Sequence, residues 1–296
     1  MKGGVGKTTI TVGLAHAFAQ ENAAGKALRI LVIDLDAQAN ASFWFCGDQK
    51  LTELIESGRT MDAFLEDAVV LNQPRTLADY AHILTRAGAP PGDLCVIPCS
   101  PELRLIEREM TYFLSERRAS LKEVENVVAD LLVTELAALK EKYDLIIFDT
   151  APGISALTEA ALRASDIVIV PTVPDFISNL GLEAFCRSVW WANHSGSELQ
   201  RTPWVVANMV KETKHHAAML AEMRAESAAE DAGFKMFRIE IPCSEEIEEA
   251  GARVREAEGV CAAAFDPGAS LIFAGFAKEI ADLIGVPAPL SRGDSR

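Results

Sequence analysis

Seven residues at the head of the chain limit its fold more than any other stretch. They read Gly3-Gly4-Val5-Gly6-Lys7-Thr8-Thr9 and run into a helical segment, Lys7 to Gln20. Glycines at 3, 4 and 6 allow the dihedrals that turn backbone N–H groups inward. A helix beginning at Lys7 adds the positive end of its dipole. The result is a cradle for phosphate oxygens, with Lys7 reaching the outer phosphates and the Thr8 hydroxyl placed for Mg²⁺. The common pattern G-x-x-x-x-G-K-[ST] differs here in one respect. Met1 occupies the place of its first glycine, and Lys2 follows.

The remainder of the chain alternates strand and helix patterns. Strands are expected at Leu28 to Asp34, Leu94 to Ile97, Leu145 to Asp149, Ile167 to Pro171, Trp204 to Asn208 and Met236 to Ile241. Four of these are nearly unbroken apolar runs, as expected of strands covered on both faces. Helical patterns at Lys7 to Gln20, Ser120 to Lys142, Asn179 to Asn193 and Glu212 to Asp231 lie between them. The expectation is an α/β fold, a doubly wound and mostly parallel sheet with helices on both faces. At 296 residues this is one domain, residues 1–290, with a short polar tail at 291–296. The stretch Gly47 to Asp93, with Pro74, Pro90, Pro91 and Gly92, reads as short surface helices and a loop.

Two apolar strands end in acids. Leu31-Val32-Ile33 leads to Asp34-Leu35-Asp36, and Leu145-Ile146-Ile147-Phe148 leads to Asp149. Ligands bind at the C-terminal ends of strands in open α/β sheets. One such Asp is commonly a helix cap. Two strands of this kind beside a phosphate loop imply more, namely carboxylates suited to Mg²⁺ and its bound water.

Charge limits the partners. With 28 Lys and Arg against 43 Asp and Glu, the net charge is −15, so the chain is not a general polyanion binder. DNA contact requires a local basic patch. Lys211, Lys214, Lys235, Arg238, Arg253 and Arg255 are the candidates, with Glu245, Glu246, Glu248 and Glu249 close by. His215 and His216 read as an exposed polar turn. The six cysteines read as reduced, buried small hydrophobes, and Cys95 with Cys99 lacks the further ligands a metal centre needs. No apolar run approaches the ~18 residues of a membrane span. The last helical stripe, Leu271, Ile272, Phe276, Ile280 and Leu283, carries Lys278, Glu279 and Asp282 on its polar side. That is a core-packing helix rather than a membrane-targeting one. The chain opens on a glycine loop rather than a secretory leader, so a cytoplasmic location is expected.

The combination resembles the deviant-Walker ATPases of the ParA and MinD family. The residues that carry the likeness are Lys2-Gly3-Gly4-Val5-Gly6-Lys7-Thr8-Thr9, Asp34-Leu35-Asp36-Ala37-Gln38-Ala39-Asn40 and Asp149-Thr150-Ala151-Pro152-Gly153, with weaker matches at Pro98 to Leu103, Gly181-Leu182-Glu183 and Ile241-Pro242. Gln38 and Asn40 favour the ParA branch. Ala37 stands where such members usually have Pro.

The resemblance implies ATP and Mg²⁺ as ligands and a nucleotide-sandwich homodimer. It implies Lys2 as the lysine that reaches the partner subunit's phosphates, Lys7 as the loop lysine, and Gly3 to Thr9 as the phosphate cradle. Thr8, Asp34 and Asp149 fall at the metal, Asp36 at the attacking water, and Asn208 and Pro242 beside adenine. A ParB-like stimulating protein and non-specific DNA are the implied partners, with no membrane cycle. Weak, partner-stimulated hydrolysis serving DNA partition or cargo positioning on the nucleoid is the implied activity. An ATP-dependent synthase or ligase, an electron-transfer reductase and a non-hydrolysing nucleotide sensor are the alternatives on this scaffold.

Such proteins also carry a strand just before the loop, and here Met1 abuts it. The expectation is a misassigned or truncated start lacking roughly eight to ten residues, a strand and its lead-in.

Overall fold

The computed structural model describes residues 4–20, 27–84, 93–116, 120–153, 155–194, 202–253 and 265–289, with backbone alone at 121, 188–194 and 251–253. In chain order the elements are α1 (Lys7–Phe18), β1 (Ile30–Leu35), α2 (Asn40–Glu56), α3 (Met61–Leu65) running into a π-helical turn at Glu66–Val70, a 3₁₀ turn at Leu77–Tyr80, β2 (His82–Ile83), β3 (Leu94–Ile97), α4 (Leu103–Ser115), α5 (Leu121–Leu139), β4 (Leu145–Thr150), α6 (Ala156–Ala164), β5 (Ile169–Thr172), α7 (Phe176–His194), β6 (Trp204–Val210), α8 (Lys214–Ser227), β7 (Lys235–Pro242), α9 (Glu245–Arg253) and α10 (Pro267–Ile284).

β1 is buried at every position, which is why its sequence is an unbroken apolar run. It pairs in parallel with β3 on one side and β4 on the other. The two-residue periodicity divides its side chains between the helix layers. Ile30 and Val32 join α1, α2 and α10 in one core, whereas Leu31, Ile33 and Leu35 join α3, α4, α5 and α6 in the other. α1 lies deep in the first layer. A Cβ on Gly13 would meet the Phe273 ring of α10 at 2.4 Å, so only glycine allows this close crossing. α5 begins with a capping box in which Ser120 and Glu123 exchange hydrogen bonds with the helix backbone.

Two expectations need correction. The stretch from Gly47 to Asp93 is not a set of surface helices. Met61, Phe64, Leu65 and Leu77 within it are fully buried and form part of the second core. Its composition is misleading because Gly58 and Pro74 fall between elements while Gly47 lies within α2, and residues 85–92, with Pro90, Pro91 and Gly92, lie outside the described residues. Its end also supplies β2, an antiparallel edge strand on β3 that the sequence pattern did not suggest.

The strands form two pieces, β2-β3-β1-β4 and β5-β6-β7. Among the described residues no strand precedes α1 and none lies between β4 and β5. A groove of about 370 Å³ separates those two edges, lined by all of β4 and by Ile169, Val170 and Pro171 of β5. Ile10 and Leu14 of α1 and Ile280 of α10 wall it from one layer, Leu136 of α5 and Ala161 of α6 from the other. Facing it, β4 is half-buried from Leu145 to Phe148 despite an apolar sequence like that of β1.

Candidate nucleotide-binding site

The glycine loop stands at the head of α1, with Gly4 at φ 79° and Gly6 at φ 84°, both in the left-handed region. At Gly6 the requirement is also steric. A Cβ there would lie 2.3 Å from Nδ2 of Asn208. That amide donates to the Val5 carbonyl at 2.8 Å, in a buried bond between residues 203 apart in sequence. Asn208 thus braces the loop from β6. No side chain caps α1, and its first turn holds no acid, so its leading N–H groups remain available to an anion. Lys2 and Gly3 lie outside the described residues. Lys7, Thr8 and Thr9 are half-buried in the first helical turn.

The two strand-ending acids meet this turn. Asp34 and Asp149 are register partners on β1 and β4, and both are buried. Thr8 donates its hydroxyl to Asp149 at 2.7 Å, and Thr11 donates to the other carboxylate oxygen at 3.4 Å. Asp34 accepts from the Ser42 hydroxyl at 2.7 Å, the Ser42 N–H at 2.8 Å and the Asp36 N–H at 3.0 Å. Burial pushes both carboxyls above their ordinary range, Asp34 to about 6 and Asp149 to about 7. For Asp149 the neighbouring Asp34 charge adds to burial, while the Thr8 hydrogen bond and the Lys7 charge oppose it. For Asp34 the donors from Ser42 and Asp36 oppose burial. Asp36 is 9% exposed, and its carboxylate accepts from the Gln38 N–H at 3.0 Å.

These groups suit a magnesium ion. Two buried carboxylates side by side repel each other, and their hydrogen-bond partners are hydroxyl and backbone N–H groups, which do not cancel a full charge. Among the described residues no cluster of three or more His, Cys, Asp or Glu side chains forms a protein-only metal cage. A cation here would depend on phosphate oxygens and water, as Mg²⁺ commonly does.

Other expected residues scatter. Pro242 ends β7 opposite Val210 at the end of β6, and it is exposed. Of the basic candidates among the described residues, Lys235 and Lys211 lie at opposite ends of β6. Lys235 starts β7 opposite Trp204, whose ring it overlies at 5.5 Å, whereas Lys211 follows the other end of β6. The six steps between Trp204 and Val210 correspond to about 20 Å. Arg224 of α8 pairs with Glu240, and the Arg238 N–H donates to Glu279. The Arg253 side chain and Arg255 lie outside the described residues. Cys95 and Cys99 are buried as expected, but Cys243 is exposed, and Cys261 lies outside the described residues. Sequence reasoning missed Ser42 and read Cys99 only as a buried thiol within the Pro98 to Leu103 match; both bond to the acidic loop. Position 42, two residues after the Asp34 to Asn40 motif, was the available signal.

A glycine loop at a bare helix N-terminus, with a threonine hydroxyl on a strand-end carboxylate, defines a P-loop nucleotide-binding protein. A family model described as "AAA domain" matches residues 1–198. The chain belongs to that family, as a ParA-like member of the deviant-Walker group. It is 32% identical over 184 residues to a ParA family protein of Chlamydia pneumoniae, a match covering 62% of this chain and 59% of that one. It is 31% identical over 188 residues to the sporulation initiation inhibitor protein Soj of Bacillus subtilis, covering 64% and 61%. The chain thus spans about three fifths of the length of the curated relatives it matches. Among solved structures, the ATP complex of a Cyanothece McdA variant aligns over 98% of this chain and 95% of that one, with a TM-score of 0.70 and 18% identity. Cobyrinic acid a,c-diamide synthase from Mycobacterium smegmatis with bound ADP and magnesium aligns over 97% and 94%, with a TM-score of 0.62 and 20% identity. These likenesses show the fold. Among the described residues no helix is long and apolar enough to cross a membrane.

Proposed function

We propose that the chain is an ATP-binding and ATP-hydrolysing switch that pairs into a homodimer around ATP. In this reading it acts in the cytoplasm, partitioning DNA or positioning cargo on the nucleoid. The observation that carries the reading is the Thr8 hydroxyl, held 2.7 Å from Asp149 at the mouth of a glycine loop. Relatives named for partition, such as plasmid partition protein A of Escherichia coli, support the cellular role.

The backbone N–H groups of Gly3 to Gly6 and of the first turn of α1 bind phosphate oxygens, and Thr9 supports that cradle. Lys7 holds the outer phosphates. Thr8 would hold Mg²⁺, with Asp34 and Asp149 beside it to hold its waters, and the ion would neutralise charge on the phosphates. Asp36 accepts a hydrogen bond from the attacking water and aligns it. Lys2 completes the partner subunit's site, so hydrolysis is slow in the monomer and rises on dimerisation and on contact with a ParB-like protein. Asn208 and Pro242 flank the base, and DNA is a non-specific surface for the dimer.

The test is phosphate release and light scattering with Mg-ATP, with and without plasmid DNA. Slow turnover with an ATP-dependent increase in size is expected. Failure to bind ATP would sink the proposal. Turnover only in the presence of a carboxylic acid and an amine would point instead to an amide synthase.

A further inference from the structure

Asp36 lies on a connection, yet its backbone belongs to a closed ring of buried hydrogen bonds. The Ser42 hydroxyl donates to Asp34 at 2.7 Å and accepts from the Cys99 N–H at 2.8 Å. The Cys99 thiol donates to the Asp36 carbonyl at 3.0 Å, and the Asp36 N–H returns to Asp34 at 3.0 Å. Four residues from three parts of the chain thus close one circuit: the end of β1, the first turn of α2 and the connection after β3. Ser42, Cys99 and Asp34 have no exposed surface.

The Cys99 corner is itself fixed. Ser100 donates its N–H and hydroxyl to Asp62 at 2.8 and 3.0 Å, and the Pro98 carbonyl accepts from the Met61 N–H at 2.7 Å. Backbone bonds already hold the local chain. The Ala39 N–H donates to the Asp36 carbonyl at 2.7 Å, and the Ser42 N–H donates to Asp34 at 2.8 Å. The Ser42 hydroxyl and the Cys99 thiol therefore add constraint on orientation to a loop whose path is set without them.

We propose that Ser42 and Cys99 are positioning residues, whose side chains lock the Asp36 peptide so that its carboxylate stays aimed at the water beside the phosphate loop. The inference rests on the nucleotide reading given above. Catalytic groups must be held to within about half an ångström, and a buried ring does this better than one contact. Opening the ring leaves the cradle of Gly4 to Thr9 intact, so nucleotide affinity and turnover should separate.

The test uses the full chain, mant-ATP binding, phosphate release and a thermal melt for Ser42→Ala, Cys99→Ala and Cys99→Ser. Ser42→Ala and Cys99→Ala should bind mant-ATP within about twofold of the parent and lose roughly tenfold or more in kcat. Cys99→Ser keeps a donor toward the Asp36 carbonyl and should recover most of that loss. Unchanged kcat in both alanine variants would overturn the proposal. So would equal losses of affinity and kcat that Cys99→Ser does not rescue, because these mark a purely structural role. If Ser42→Ala does not fold, the Cys99 pair still decides. A parent that binds no mant-ATP would sink the nucleotide reading; a parent that binds it but turns over no faster than both alanine variants would sink the ring alone.

Discussion

Asp34 and Asp149 face each other across the β1–β4 ladder, both buried, with the Thr8 hydroxyl bonded to Asp149 and the Ser42 hydroxyl to Asp34. One carboxylate is tied to the phosphate loop and its neighbour to the acidic loop. The pair therefore joins the two segments that would contact nucleotide and water.

The same pair should make stability depend on pH. In the folded chain Asp34 and Asp149 sit at about 6 and about 7, above the ordinary 3.8, because burial penalises the ionised form. The folded state therefore holds more protons than the unfolded state between about pH 4 and 7. Their contribution is fully present below about pH 4 and is lost as pH rises through about 7. Relative to Asp149→Asn, the parent's Tm should fall as pH is raised across that window in nucleotide-free buffer. A parent that gains on the variant with rising pH would contradict the assignment.

Replacing Lys7 with Ala removes the loop's side-chain cation. Charge-assisted hydrogen bonds contribute roughly 1.5–3 kcal/mol, so ATP affinity should fall by roughly 100-fold. Isothermal titration measures this, and unchanged affinity in Lys7→Ala would remove the phosphate-cradle assignment.

Binding and turnover should come apart at two other positions. Lys2→Ala is expected to keep ATP affinity while losing ATP-dependent dimerisation and hydrolysis. Asp36→Ala should accumulate an ATP-bound dimer, since the phosphates are held but the water is not. Light scattering reads both; an Asp36→Ala protein that stays monomeric, or turns over at the parent rate, does not fit the role.

Gly6 and Asn208 should behave as a coupled pair. Gly6→Ala places a Cβ 2.3 Å from the Asn208 amide at φ 84°, a conformation costing about 1–2 kcal/mol for an L side chain. Asn208→Ala leaves the buried Val5 carbonyl without its donor, at roughly 1–3 kcal/mol. Each variant should lower Tm by several degrees and weaken ATP binding. In the double variant the losses should be less than additive, because the clash has been removed.

The groove between β4 and β5 should accept a strand. Among the described residues no strand pairs with either edge, and Ile10, Leu14, Leu136 and Ile280 are among its walls, so an extended β-branched segment would gain ladder hydrogen bonds and burial together. Adding an apolar segment of strand length ahead of the glycine loop should raise Tm and the Tm shift caused by Mg-ATP. Equal melting temperatures with and without the segment would show that the groove is stable as it stands.

Much of this protein was legible in its residues alone. Gly4 and Gly6 mark a loop because few other residues adopt positive φ, and Lys7-Thr8-Thr9 follows in the same turn. Asp34 and Asp149 mark strand ends because unbroken apolar runs precede them, and the alternation of runs and helical patterns defines the α/β class. These features depend on local dihedrals and on periodicity, which one stretch of chain carries by itself. Packing decided the rest. That Asn208 braces Val5 from 203 residues away, that Cys99 closes a ring with Ser42 and Asp36, and that Met61, Phe64 and Leu77 are core are matters of which distant surfaces meet. The same holds for the separation of Lys211 from Lys235 by the length of a strand, and for the groove between β4 and β5. Such contacts are set by the mutual fit of whole layers, and no short window of sequence contains both sides of that fit.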